Sequence, residues 1–291
     1  MELRELRYFL AVAREESISR AAEALFVTQP NLSRQMQNLE KEIGQQLFIR
    51  GTRKITLTEA GRLLRKRAEE IMELYEKAEA ELSVPVTDVS GDIYIGGGES
   101  YAMQTIAKTA RDVSKEYPNV KFHIFSGDGA TVSERLDKGL IDFGVFIGMR
   151  DLSKYDRLRL PLYDTWGVLM RKDSPLAAKD RITPEDLWDK PLLLARQSLG
   201  KSIVTDWLRK NADELNVVGT GNLLYNMSLL VKEGFGYAVT LDKIINTTGD
   251  SELCFRPLYP ELISHLEIAW KKYQVFPQCA EIFLKRLREN L

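Results

Sequence analysis

The fold of the first part of this chain is decided by two consecutive stretches, Ser17-Ile-Ser-Arg-Ala-Ala-Glu-Ala-Leu25 and Thr28-Gln-Pro-Asn-Leu-Ser-Arg-Gln-Met-Gln-Asn-Leu-Glu40. The first has a suitable N-cap at Ser17 or Ser19, followed by small apolar residues on one face. The second has Thr28 at its cap and a proline in its first turn, where a missing N–H is tolerated. Two helices separated by so short a connection predict a helix-turn-helix motif.

The second helix has two different faces. Its apolar residues Leu32, Met36 and Leu39 recur at steps of four and three, so they form one buried stripe. The opposite face is polar and can hydrogen-bond to base edges and phosphates, which makes this the reading helix of the motif. The candidate DNA-binding residues of this helix are Thr28, Gln29, Pro30, Asn31, Ser33, Arg34 and Gln37.

The residues around this motif complete a small domain. Residues 2–15 form an amphipathic opening helix whose apolar face is expected to pack beneath the other two helices. Residues 47–49 and 54–57 are short β-prone runs on either side of a glycine-containing turn, so they predict a two-stranded wing. The turn is basic, and we expect its side chains to hold the sugar–phosphate backbone or the minor groove. These further candidate DNA-binding residues are Arg50, Arg53 and Lys54.

The charge of the chain supports this interpretation once it is divided along the sequence. The whole chain has a formal net charge of −1. Residues 28–67 contain nine Lys or Arg against three Glu, a local charge of +6. A charge excess is often only a solvated face, but here it falls on the reading helix, the wing and the next helix, where phosphates would run.

A long helix is predicted from Thr58 to Leu82, and its apolar residues recur at alternating steps of four and three. That spacing is typical of a coiled-coil seam, so we expect a dimerisation helix. The alternative is a helix that packs on the core of its own domain, which usually has a wider apolar stripe. The predicted seam consists of Leu57, Gly61, Leu64, Ala68, Ile71, Tyr75, Ala78 and Leu82.

Residues 1–66 resemble the winged helix-turn-helix of the LysR-type transcriptional regulators. The resemblance includes the ordered motifs Ser19-Arg-Ala-Ala22, Thr28-Gln-Pro30, Ile43-Gly44 and Thr56-Leu-Thr-Glu-Ala-Gly61. It implies a DNA-binding regulator that forms a dimer of dimers on an imperfect inverted repeat of double-stranded promoter DNA. It also implies a small-molecule effector that changes how the DNA is bent or how RNA polymerase is contacted.

Length and composition limit the other possibilities. A chain of 291 residues predicts two or three domains, and 44% hydrophobic with 29% charged residues is typical of folded domains. We find no signal peptide and no membrane-spanning stretch, so we expect a cytoplasmic protein without a membrane partner. Cys254, Cys279, His123 and His265 have no metal-ligand spacing, so we interpret all four as structural and expect neither metal nor cofactor.

From residue 91 onward, strands alternate with helices in the βαβαβ order of a doubly wound parallel sheet. A second lobe of helices and strands follows, in which residues 252–257 and 265–270 are predicted strands and the last of these is expected to return to the first lobe. The fold class is therefore an all-α winged helix-turn-helix domain with a long dimerisation helix, followed by a two-lobe α/β domain like that of the type 2 periplasmic binding proteins. The expected limits are a DNA-binding domain over 1–57, a dimerisation helix over 58–82, a hinge over 83–90, a first effector lobe over 91–163 plus 265–291, and a second lobe over 164–264.

Ligands of open parallel sheets bind beyond the carboxyl ends of the strands, which here would line a cleft between the lobes. Arg196 could supply the counter-charge to an effector carboxylate, whereas Asp128 would repel one, so the charge of the effector stays open. The same side chains could also be ordinary turn and cap residues. The candidate effector-binding residues are Ser100, Tyr101, Gly127, Asp128, Arg196 and Ser202.

Two other functions fit less well. An enzyme is not indicated, because Gly96-Gly-Gly98 lacks the dinucleotide-binding spacing and both histidines fall in predicted strands. A solute-binding protein would explain residues 91–291 but not the basic N-terminal segment, its reading helix or the predicted seam. Effector identity, target genes and the sign of regulation do not follow from the sequence.

Overall fold

The computed structural model of the chain describes residues 1–51, 54–83, 89–148 and 151–291, and it describes Arg50 by its backbone only. Of the predicted sites, Arg53, the side chain of Arg50 and most of the predicted hinge over 83–90 lie outside the described residues. The chain divides into two units, Met1–Ser83 and Val84–Leu291.

The first unit contains the predicted helix-turn-helix and wing. Ser17 caps the second helix through a hydrogen bond from the N–H of Arg20, at 3.4 Å. Gly44 ends the third helix in the left-handed conformation, with a φ of 73°. The elements are α1 (Leu3–Glu15), α2 (Ile18–Ala24), α3 (Gln29–Ile43), β1 (Phe48–Arg50), β2 (Ile55–Leu57) and α4 (Glu59–Leu82).

The core of the first unit lies where α1, α2 and α3 meet. The stripe predicted for α3 is buried as expected, and Phe9 and Val12 of α1 are fully buried. The aromatic ring of Phe9 lies 5.3 Å from that of Phe48 on the wing. Helices and wing therefore share one core, so the orientation of the wing follows from the packing of α1.

Helix α4 uses its apolar residues in two ways, which differs from the single predicted seam. One set packs on the core of its own unit, as in the alternative interpretation of this helix: Gly61, Leu64, Ala68, Met72 and Tyr75, beside Leu57 of β2. A neighbouring stripe is exposed and consists of Leu63, Ile71, Leu74, Ala78 and Leu82. At 100° per residue, the exposed set spans about 100° of the helix circumference.

The second unit contains two α/β lobes, and the predicted fold class is confirmed. Its strands are β3 (Gly91–Gly97), β4 (Val120–Ser126), β5 (Phe143–Ile147), β6 (Tyr155–Arg171), β7 (Leu192–Ala195), β8 (Val217–Gly221), β9 (Tyr237–Leu241), β10 (Leu253–Pro257) and β11 (Ile263–Lys271). Its helices are α5 (Gln104–Glu116), α6 (Gly129–Asp137), α7 (Ile203–Leu208), α8 (Leu224–Lys232) and α9 (Gln278–Glu289).

The sheet is mixed rather than parallel throughout. Each lobe has three parallel strands, in the order β4-β3-β5 in one and β9-β7-β8 in the other. Strand β11 runs antiparallel to β5 and β6, and β10 runs antiparallel to β6. Strand β6 pairs with β11 up to Thr165 and with β9 from Trp166 onward, so one unbroken strand crosses between the lobes.

Two helices beside the cleft are short or interrupted. A separate 3-10 turn at Tyr101–Met103 precedes α5, and α7 is limited to Ile203–Leu208. In each lobe the sheet has a hydrophobic cluster on both faces, with Phe143 and Phe146 on opposite faces in the first lobe and Val168 and Leu169 on opposite faces in the second. The loops at the C-terminal ends of the strands are thereby fixed in position.

Candidate nucleic-acid interface and ligand cleft

The polar face of α3 is exposed. The side chains of Gln29, Asn31, Arg34 and Gln37 are exposed, and that of Ser33 is partly buried. Within the described part of the chain, none of these side chains has a hydrogen-bonded or ionic partner. Their polar groups are therefore available to a nucleic acid. Thr28 and Pro30 begin the helix and are exposed as well.

Phe26 lies in the turn between α2 and α3, and the sequence analysis did not single it out. Its side chain is 96% exposed, and its φ of 56° is in the left-handed region. The turn is held by two backbone hydrogen bonds, from Phe26 N–H to Glu23 and from Val27 N–H to Ala22, at 3.1 and 3.0 Å. In the sequence, the only indication of this exposed ring is an aromatic residue between two segments that predict helices.

The wing is attached to α1 and α3 by hydrogen bonds. One carboxylate oxygen of Glu40 accepts from the N–H groups of Leu47 and Phe48, at 2.8 and 3.1 Å. The N–H of Ile55 donates to the carbonyl of Glu16 at 2.9 Å. The exposed ammonium of Lys54 lies 3.4 Å from a carboxylate oxygen of Glu16. These contacts fix the two strands of the wing relative to α1 and α3.

Helix α4 approaches the wing closely at Gly61. A Cβ atom at this position would lie 2.2 Å from the carbonyl oxygen of Leu47. The hydroxyl of Thr58 accepts from the N–H of Gly61 at 2.9 Å and donates to the carbonyl of Gln46 at 2.7 Å. The start of α4 is therefore fixed against the wing, and only glycine fits there.

Part of the positive charge of this unit is neutralised within α4. Arg65 lies 2.9 Å from Glu69, and Arg67 lies 2.9 Å from Glu70. Such exposed pairs contribute little stability, but they reduce the field that a phosphate would experience. Outside α4, Lys54 lies beside Glu16, whereas Arg34 has no ionic partner within the described residues.

A cleft of about 500 Å³ lies between the two lobes of the second unit. It is found beyond the C-terminal ends of the parallel strands, where Gly98, Ile147, Ala195, Gly221 and Leu241 contribute to its wall. Clefts of this size commonly hold small molecules. The position is the one expected for a ligand site in an open α/β sheet.

The six candidate effector-binding residues divide into two groups. Gly127, Asp128 and Ser202 line the cleft, whereas Ser100, Tyr101 and Arg196 are not among its described lining residues. The hydroxyl of Ser100 donates to Asp164 at 2.6 Å, and the ring of Tyr101 lies 4.7 Å from the ammonium of Lys243. The residues of the second group therefore contact other protein groups beside the cleft.

Arg196 and Asp128 form an ion pair with each other. The guanidinium of Arg196 lies 2.8 Å from a carboxylate oxygen of the buried Asp128. Asp128 also caps α6 by accepting from the hydroxyl and the N–H of Thr131, at 2.7 and 2.9 Å. The Thr131 hydroxyl, the Thr131 N–H and Arg196 together lower the pKa of the Asp128 carboxyl. The opposing charges noted in the sequence therefore neutralise each other across the two lobes.

Two more hydrogen bonds cross the cleft. The carboxylate of Glu99, in the first lobe, accepts from the N–H of Leu224 at the start of α8 in the second. The N–H of Gly129 donates to the side-chain oxygen of Gln197 at 3.4 Å. With the Asp128–Arg196 pair, these contacts hold the lobes together around the cleft.

A buried polar cluster lies where β6 crosses between the lobes. Asp164 is only 3% exposed, and burial raises the pKa of its carboxyl. One of its oxygens accepts from Ser100, and the other has no partner within the described residues. The indole N–H of Trp166, which lines the cleft, donates to the hydroxyl of Ser264 at 2.8 Å.

The cysteines and histidines take part in neither site. Both cysteines are buried as free thiols. His123 lies 2.7 Å from Asp92 and stacks on Tyr94 with ring centroids 4.7 Å apart. Within the described ranges there is no cluster of His, Cys, Asp and Glu that could hold a metal ion. No described helix is long and apolar enough to span a bilayer.

Comparison with known proteins agrees with both halves of this structure. The family profile described as "Bacterial regulatory helix-turn-helix protein, lysR family" matches residues 3–62, and "LysR substrate binding domain" matches residues 87–291. The regulator BsdA of Bacillus subtilis is 32% identical over 246 residues, which are 82% of this chain and 83% of BsdA. The Hca operon transcriptional activator HcaR of Escherichia coli is 30% identical over 300 residues, with 100% and 98% coverage.

Solved structures show the same fold. Full-length CbnR, in complex with its target DNA, is 19% identical and superimposes with a TM-score of 0.76 over 100% of both chains. Full-length OxyR from Pseudomonas aeruginosa is 23% identical, with a TM-score of 0.57, and covers 99% of this chain and 100% of that one. The chain therefore belongs to the LysR family of transcriptional regulators, proteins that bind DNA rather than catalyse a reaction.

Proposed function

We propose that this regulator recognises its operator through the exposed face of α3, with Arg34 at a base edge and Lys54 on the phosphate backbone. The observation that carries the proposal is the set of exposed polar side chains on α3, which have no partner within the described residues. A reading helix in the major groove uses such side chains for base contacts. The predicted contacts of Arg50 and Arg53 with the backbone belong to the same proposal.

The test compares Arg34→Ala and Lys54→Ala in the full-length protein, with a duplex selected from random DNA as the specific site. Arg34→Ala should weaken specific binding by about 1–3 kcal/mol and binding to random DNA much less, because a base contact distinguishes sequences. Lys54→Ala should weaken both equally, because phosphates are the same in every sequence. Fluorescence anisotropy measures both affinities. Equal losses for Arg34→Ala on the two duplexes would exclude its base contact.

The protein acts as a dimer in this proposal. The exposed apolar stripe of α4, from Leu63 to Leu82, is the surface that supports pairing with a second copy. Two reading helices would then contact two half-sites. The same proposal includes a dimer of dimers on an inverted repeat. It also includes a contact with RNA polymerase and a cytoplasmic location, since a regulator acts where promoter DNA is found.

The cleft between the lobes is the proposed effector site. A small molecule that binds one assembly state better than another would shift the population of states on the DNA. The hydrogen bonds that cross the cleft support this role, because a ligand there contacts both lobes and changes how they are held together. The predicted limits of the two lobes, 91–163 plus 265–291 and 164–264, define the bodies that would move.

A further inference from the structure

We propose that the effector is an apolar organic acid whose carboxylate is bound by Lys201. This inference rests on the proposed function, because it takes the cleft between the lobes as the effector site. It replaces Arg196, the counter-charge predicted from the sequence, with a neighbouring cation that lines the cleft.

The apolar part of the proposed ligand follows from the cleft wall. Most of the lining side chains are aliphatic or aromatic, among them Val145, Trp166, Ile203, Met227 and Leu241. Such a wall stabilises a hydrocarbon or aromatic group by removing its surface from water. A ligand without an apolar part would leave this surface uncovered.

The charge of the ligand follows from the charged residues that line the cleft. Asp128 is paired with Arg196, Glu99 bonds the N–H of Leu224, and Asp151 accepts from the N–H of Ser153 at 2.9 Å. Each of these carboxylates therefore has a donor already. Lys201 lines the cleft, is exposed and has no ionic partner within the described residues. An anionic group on the ligand would provide that partner.

A second polar group in the cleft can orient the ligand. Thr240 is only 8% exposed and lines the cleft, yet its hydroxyl has no hydrogen-bonding partner within the part of the chain that the structure describes. Its oxygen is still reached by solvent, so a ligand that accepts or donates a hydrogen bond there would take the place of water. One cation and one hydroxyl in an apolar wall fit a compact organic acid.

The experiment measures binding of matched acids and amides to the full-length protein by calorimetry and thermal shift. The probes are hexanoate, benzoate and 2-naphthoate with their uncharged amides, at concentrations up to about 10 mM. We expect at least one acid to raise the unfolding temperature and to bind about tenfold or more tightly than its amide. Lys201→Gln should remove that advantage, and Lys201→Arg should retain most of it.

Two variants separate the possible outcomes. Lys115→Gln removes an exposed lysine on α5, outside the cleft, and should bind the acid as the unmodified protein does. Leu223→Trp places an indole in the cleft and should block binding. Acid binding that survives Lys201→Gln but not Leu223→Trp overturns the role of Lys201 and leaves the cleft as the effector site. Acid binding that survives both substitutions overturns the proposed effector site. If acids and amides bind equally well, or if neither binds, the proposal that the effector is a carboxylate is overturned.

Discussion

Asp128 shows how one side chain can serve several elements at once. It caps α6, contacts Arg196 of the opposite lobe and lines the cleft. A carboxylate with three donors is held in its charged form, which explains the direction of its pKa shift. From the sequence alone, Asp128 and Arg196 appeared as two opposing charges in one site. The distance between them shows that the protein satisfies both.

Replacing Asp128 by Asn should change how stability depends on pH. Asn still caps a helix but loses the charge, so Asp128→Asn should cost on the order of 1 kcal/mol at pH 7. The pKa of Asp128 is lowered on folding, so the unfolded chain binds the proton more tightly and the contribution of the carboxylate is lost as pH falls below about 5. Urea unfolding from pH 7 down to about pH 2, through the ordinary carboxyl pKa of 3.8, measures this difference, which should shrink toward acid. A difference independent of pH would show that the charge of Asp128 does not stabilise the fold.

At the scale of the element, α4 combines two functions on adjacent faces. The face with Ala68 and Met72 completes the core of the first unit, and the face with Ile71, Leu74 and Leu82 remains exposed. A helix that served only its own core would not expose several large apolar side chains in one row. The exposed row therefore supports the proposed dimer. It shares Ile71, Ala78 and Leu82 with the predicted seam, whose other helical residues pack on the core of the first unit.

Leu74→Glu should weaken the dimer while leaving the core of the first unit intact. Leu74 is 45% exposed, so the charge is placed on the surface of the unit and at the proposed contact between copies. We expect the dimer dissociation constant to rise about tenfold or more, because a carboxylate would be desolvated in an apolar contact. Analytical ultracentrifugation measures the change. The control is Val275→Glu, an equally apolar exposed position in the second unit, and equal dissociation constants for the two variants would contradict the assignment of the α4 stripe.

At the scale of the whole molecule, the two units have separate hydrophobic cores. Among the described residues, the core of the first unit is formed by α1 to α4, the turn between α2 and α3, and the wing with its flanks. Each lobe of the second unit has cores of its own. All four tryptophans belong to the second unit: Trp166, Trp188, Trp207 and Trp270. Tryptophan fluorescence therefore reports unfolding of the second unit, whereas circular dichroism reports both.

Gly61→Ala should destabilise the first unit only. The added methyl would overlap the carbonyl of Leu47, which is backbone and cannot move aside easily, so we expect a loss of about 1–3 kcal/mol. For a unit of this size, the unfolding temperature should fall by roughly 5 °C or more. Circular dichroism should detect this early transition and tryptophan fluorescence should not.

The matched control for this experiment is Gly200→Ala. A Cβ atom at Gly200 would have no neighbour within 4 Å, so this variant should unfold like the unmodified protein in both signals. If Gly61→Ala lowered both transitions equally, the two units would unfold as one cooperative body.

Much of this architecture could be predicted from the sequence. The cap at Ser17, the stop at Gly44 and the buried stripe of α3 are local signals, because each depends on residues within one or two turns of the same helix. The alternation of helices and strands predicted both lobes for the same reason. The strands β10 and β11 were predicted as strands, but their antiparallel direction was not, because strand direction depends on which distant segment supplies the hydrogen bonds.

The sequence by itself determined the helix-turn-helix, its polar reading face, the alternation of strands and helices, and thereby the family. Only the tertiary structure decided which face of α4 is exposed. It also decided that Arg196 is paired with Asp128, and that Lys201 and Thr240, rather than Arg196, line the cleft. The physical reason is the range of the interactions. Capping and periodic burial act between neighbours along the chain, whereas an ion pair or a cavity wall joins residues that are brought together only when the lobes pack.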